Sequence, residues 1–207
     1  MRRQARRRPS RPVDPRSLVV IAQQNNGPAP NGRSFRIDPA TPADIADLHA
    51  LIAGLAEYER LTEICVATPP DLEAALFGEQ RCAEALIARV EAHRQETAGF
   101  ALFFHTYSTF LGRRSLWLED LFVRPEHRRR GLGRQLLERL AALAVERDCG
   151  RFEWSVLDWN TSAIQFYESL GASLLTDWRI ARVTGDALPR LAGAVPPATT
   201  AHRSSHA

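Results

Sequence analysis

The chain contains no lysine, and all 27 of its basic residues are arginine. It has a single methionine and three cysteines, Cys65, Cys82 and Cys149, none in a Cys-x-x-Cys spacing. That spacing argues against a disulfide framework and against a thiolate metal site. It fits a reducing cytoplasm, with the three thiols serving as small apolar side chains. His49, His105 and His127 form no metal-ligand spacing either, so no metal is expected. No apolar run approaches the roughly 20 residues needed to cross a bilayer, which excludes a helical membrane span. No internal repeat is visible.

What remains is ordinary for a globular protein. At 207 residues, 44% hydrophobic and 25% charged, the chain suffices for one domain with its own core. Its charge is unevenly spread. Residues 1–36 hold nine arginines against Asp14, a balance of +8, and Arg203 adds +1 in the tail. The overall +3 therefore leaves −6 for residues 37–192. An acidic body favours cationic substrates through long-range attraction. Residues 1–34 are rich in Arg, Pro, Asn and Gly, and residues 193–207 in Pro, Ala, Thr and Ser. Neither buries enough apolar area to offset ordering entropy, so both are expected to be disordered. The ordered domain is expected over 35–192.

Within it the pattern alternates. A short strand is expected over 34–38. Thr41-Pro42-Ala43-Asp44 and Thr68-Pro69-Pro70-Asp71 are helix starts, each with a capping residue, a proline in the first turn and an acid three residues on. The first helix runs to about Glu59 and the second to about Gly78. Strands follow over 82–91, 97–106 and 115–123, with a polar hairpin at 92–97. A long amphipathic helix ends near Cys149, a strand covers 152–157, and a helix over 161–170 stops at Gly171. Leu174–Leu175 and Trp178–Val183 read as a strand pair, and 186–192 as a last helix. Antiparallel strands first and a crossover later make an α+β fold with a mixed sheet.

The most informative segment is Arg128-Arg129-Arg130-Gly131-Leu132-Gly133, between a strand and a helix start. Amides of a first helical turn lack intrahelical partners and carry the positive end of the helix dipole, while glycines let an anion approach the backbone. A pyrophosphate suits such a cradle. A Rossmann dinucleotide reading fails, because the third glycine and an N-terminal βαβ unit are both missing.

This Arg-x-x-Gly-x-Gly loop resembles the signature of the GNAT N-acetyltransferase superfamily. Other strings are similar to its diamine (spermidine/spermine-type) branch: Ala56-Glu57-Tyr58-Glu59, Leu118-Glu119-Asp120-Leu121-Phe122-Val123, and Trp159-Asn160 followed by Phe166-Tyr167. The resemblance spans about 35–192. It implies a GNAT fold, with a mixed and mostly antiparallel sheet and helices on both faces, and an acetyl-CoA-dependent enzyme without a metal. Leu121, Phe122 and Val123 would pair with the pantetheine arm. Arg128, Arg129, Arg130, Gly131, Leu132, Gly133 and Arg134 would surround the pyrophosphate, and Asn160, Thr161, Ser162 and Ala163 would lie against the cofactor. Tyr167 matches the general acid. Tyr58, Glu59, Glu119 and Asp120 match positions lining the amine site, and Glu153, Trp154 and Ser155 fall where the next strand meets substrate.

The chemistry agrees with those roles. An alkylamine with a pKa of about 10 must lose a proton before attack, and Glu119 could take it through water. A tyrosine hydroxyl suits a leaving thiolate. No cysteine need be acylated, so transfer is expected within a ternary complex. Blander readings stand beside these: Tyr167 and Trp154 as packing, Tyr58 and Glu59 as a frayed helix end, the arginines as a solvated turn. Since neighbours on a strand point to opposite faces, only one of Glu119 and Asp120 should face the cleft, and Glu119 is preferred as catalytic. The acceptor expected is a di- or polyamine or an amino-acid-like amine. A protein or antibiotic amine is the alternative. So is a non-catalytic acyl-CoA-binding module whose basic arm binds nucleic acid. Family members usually dimerise, so a cytoplasmic homodimer without membrane or nucleic-acid partners is expected.

Overall fold

The computed structural model describes residues 34–193. The expected disordered extension and tail lie almost wholly outside them. By internal contacts the chain divides after Ser155 into two compact units.

The first unit holds one five-stranded sheet in the order β1 (Phe35–Pro39), β2 (Glu84–Val90), β3 (His93–Ser108), β4 (Arg113–Val123), β5 (Phe152–Trp154). Neighbours are antiparallel except β4 and β5, which are parallel. Helices α1 (Ile45–Glu59) and α2 (Pro69–Phe77) begin where the two Thr-Pro segments place them. In both, the threonine and the aspartate three residues later satisfy each other's backbone amides. The apolar stripe of α1 (Ile45, Leu48, Leu51) packs with Leu72 and Leu76 of α2 against Ala85, Ile87, Phe100 and Phe122. Helix α3 (Leu132–Glu146) buries Leu132, Leu136, Leu137, Leu140 and Leu143 and contacts β3 and β4. The hairpin between β2 and β3 is tighter than expected: β3 already starts at His93, leaving Glu91 and Ala92 as the turn.

One irregularity positions the site. Phe103 of β3 pairs with Leu118, but the next residue back, Leu102, pairs with Asp120. Glu119 is therefore an extra residue, a β-bulge. Register partners share a face, and neighbours on β3 point oppositely. Leu118 thus lies on one face of the sheet and Asp120 on the other. Phe122, paired with Phe100, follows Asp120 onto the face covered by α1 and α2.

The second unit contains α4 (Thr161–Ser169) and α5 (Ala187–Leu191). The strand expected over 152–157 stops at Trp154. The strand pair expected at 174–175 and 178–183 is not formed. That stretch is irregular and exposes Leu175, Trp178 and Ile180. Alternating apolar residues make a strand only where a partner edge completes the ladder, and none of the described residues supplies one.

Candidate active site

The last turn of α1 carries Tyr58 and Glu59, and its end is firmly built. Arg60 turns into the left-handed region (φ 61°), Leu61 N–H bonds the Ala56 carbonyl at 2.8 Å, and Arg60 N–H bonds that of Glu57 at 3.1 Å. This is a Schellman closure, which removes the frayed-end reading. Burial raises the pKa of Glu59. Facing it from β4 is Asp120, whose pKa burial first, then the charges of Glu119 and Glu59, push up to about 6. Glu119, at the bulge, is exposed, and its Oε2 accepts a hydrogen bond from Trp117 Nε1 at 2.9 Å. The bulge thus does what simple alternation forbids, letting two adjacent acids contribute to one cluster.

Beyond this cluster β4 has a free edge. Strand β5 pairs only with Leu116, Trp117 and Leu118, so Glu119 to Val123 are unpaired on that side among the described residues. The other side is pinned to β3 very closely. A Cβ on Gly99 would stand 2.5 Å from the Phe122 carbonyl oxygen, so only glycine permits this approach.

The loop after β4 turns at Arg129 (φ 57°) and again at Gly131 (φ 81°), the N-cap of α3. Positive φ at alternate positions gathers backbone N–H groups into a concavity suited to an anion. A Cβ at Gly131 would meet only Gln135 Nε2, at 3.8 Å, so the cradle is open, and it fits a pyrophosphate. The arginine side chains are partly committed elsewhere. Arg128 Nε donates to the Val123 carbonyl at 2.9 Å, and its guanidinium lies 4.6 Å from the Tyr58 ring centroid. Arg130 sits 5.0 Å from the Phe35 ring, its Nη1 3.4 Å from Nδ1 of buried His127. His127 Nε2 in turn lies 3.0 Å from a Glu96 carboxylate oxygen. Arg134 is 3.7 Å from Glu138.

In the second unit Asn160 caps α4. Its Oδ1 accepts from Ala163 N–H at 3.3 Å and Ser162 Oγ at 3.1 Å. Thr161 and Ser162 are exposed and Ala163 half-buried. Tyr167 lies in the last turn of α4, which Gly171 (φ 90°) closes with the Ala172 N–H to Tyr167 carbonyl bond of 3.1 Å. It is half-buried beside Phe166, not a core residue. On β5, Glu153 pairs with Arg151 at 2.9 Å and the Trp154 ring lies tilted against Phe152, with Ser155 beyond the strand exposed. Among the described residues no group of His, Cys, Asp and Glu could hold a metal ion.

Sequence reasoning missed four contributors: the bulge at Glu119, Trp117, Gly99 and the stacking of Arg128. Only Gly99 left a trace, as a lone glycine inside an apolar strand.

Residues 54–172 match the Acetyltransferase (GNAT) family. An L-ornithine N5-acetyltransferase of Arabidopsis thaliana is 34% identical over 195 residues, covering 74% of this chain and 86% of that protein. A thialysine N-epsilon-acetyltransferase of Sus scrofa is 34% identical, covering 77% and 98%. Among solved structures, an integron cassette protein from the mobile metagenome of V. cholerae superposes with a TM-score of 0.66 at 28% identity, covering 79% of this chain and all of that one. With a donor-type loop, a free strand edge and such relatives, the chain belongs to the GNAT acetyltransferase family and is an N-acetyltransferase.

Proposed function

We propose that the enzyme moves the acetyl group of acetyl-CoA to the primary amine of a small cationic acceptor, a di- or polyamine or an amino-acid-like amine. The observation that carries this is the segregation of charge along one stretch of chain. The acids Glu119 and Asp120, with Glu59, stand at the start of the free edge of β4, and the arginine and glycine loop follows its end. The basic end suits the phosphates of the donor; the acidic end suits an ammonium. Ornithine and thialysine, the acceptors in the relatives' names, are amino acids with a terminal amine.

In this reading Glu119 attracts the ammonium and passes its proton through water, and Asp120 is the group able to hold it. A carboxylate at pKa 6 instead of 3.8 makes proton transfer from the amine about 3 kcal/mol less uphill. The amine then attacks the acetyl carbonyl directly. Backbone N–H near Leu121, Phe122 and Val123 stabilises the oxyanion, and the Tyr167 hydroxyl protonates the departing thiolate. The protein works in the cytoplasm as a homodimer. The exposed Leu175, Trp178 and Ile180 are the kind of surface an assembly covers.

Thiol release from acetyl-CoA, measured against putrescine, spermidine, spermine, ornithine, thialysine and short peptides, tests the proposal. Turnover concentrated on the small amines is expected. Turnover confined to peptides, or absent with every amine, would overturn it.

A further inference from the structure

Arg128 opens the loop, where the donor's phosphates would draw a guanidinium, yet its side chain is held by other groups. Its edge donates from Nε to the Val123 carbonyl at 2.9 Å, while its face covers the Tyr58 ring at 4.6 Å and stands 5.5 Å from the Phe122 ring. A planar guanidinium can bond along its edge and stack through its face at once; a lysine ammonium has no such face. The three partners belong to different working parts. Val123 ends the strand whose free edge faces the donor, Phe122 anchors that strand in the core, and Tyr58 lies beside Glu59 on the acceptor side.

We infer that Arg128 is a positioning residue for the acceptor, clamping Tyr58 and the last turn of α1 to the donor strand at Val123, and not a phosphate ligand. The inference rests on the acetyl transfer to amines proposed above.

A double-mutant cycle tests this. Arg128→Lys should raise KM for the amine about fivefold or more, with kcat and KM for acetyl-CoA changed less than about twofold. Tyr58→Ala should match it, and the double variant should be no worse than the more affected single variant. An effect of Arg128→Lys mainly on acetyl-CoA would overturn the inference, as would multiplicative effects in the double variant. Melting temperatures of the same four proteins, measured without substrate, read the Arg128–Tyr58 coupling directly, and additive shifts there would also overturn it. If the parent acetylates no amine, the proposed function fails, while the melting cycle still decides the clamp.

Discussion

A buried carboxylate that titrates near neutrality weakens the fold that carries it. Asp120 has its pKa raised to about 6 by burial, then by Glu119 and Glu59, so the folded chain binds its proton more tightly than the unfolded chain does. Below the ordinary value both states are protonated and there is no penalty. The penalty grows as pH rises from about 4 and is complete above about 6. Asp120→Asn should therefore stabilise the protein at pH 7.5 by on the order of 1–3 kcal/mol, with the gain vanishing near pH 4. It should also lower amine turnover about 100-fold or more. Calorimetry across pH read beside thiol release checks both signs, and a melting temperature that falls at pH 7.5 would contradict the stated environment. Glu119→Gln should reduce turnover of cationic amines most at neutral pH and less at high pH; a loss independent of pH would leave Glu119 only a positioning role. Tyr167→Phe should cut kcat about 100-fold with little change in acetyl-CoA affinity, and unchanged turnover would remove its acid role.

Among the elements, β4 holds the free edge and the acid cluster together, and it depends on how closely β3 approaches. Gly99→Ala would set a methyl against the Phe122 carbonyl at 2.5 Å, where backbone and not a flexible tip must yield. It should cost about 1–3 kcal/mol and weaken acetyl-CoA binding, as thermal melting and titration calorimetry would show. Intact donor affinity would mean that the free edge of β4 does not take the pantetheine arm. The helices of this fold were legible because their signals are local: the Thr-Pro-x-Asp boxes, the stripe of α3, Gly171 after α4. The loop before α3 was legible as a turn for the same reason, through its glycines. The bulge was not, since Leu116, Leu118, Asp120 and Phe122 share one parity in sequence and only pairing with β3 shows the phase change between Leu118 and Asp120. The stretch 174–183 failed in the opposite sense. Its apolar residues look strand-like, but a strand needs an edge that no local pattern can supply.

Across the whole molecule, the acidic balance of residues 37–192, −6 against an overall +3, gives substrate capture a salt dependence that one residue cannot explain. A cationic amine approaching this body is drawn by a field extending about 10 Å at 0.1 M salt and about 30 Å at 0.01 M. A diamine feels twice the pull of a monoamine at the same distance. Raising ionic strength from 0.01 to 0.3 M should thus lower kcat/KM several-fold for diamines and less for monoamines, with kcat nearly unchanged because screening acts on encounter. Glu59→Gln separates the local from the global contribution. It removes one acceptor charge, so it should lower kcat/KM at every salt concentration while leaving most of the slope intact. Equal slopes for mono- and diamines would mean that capture is governed by the few carboxylates at the bulge, and that the charge of the body does not steer the acceptor.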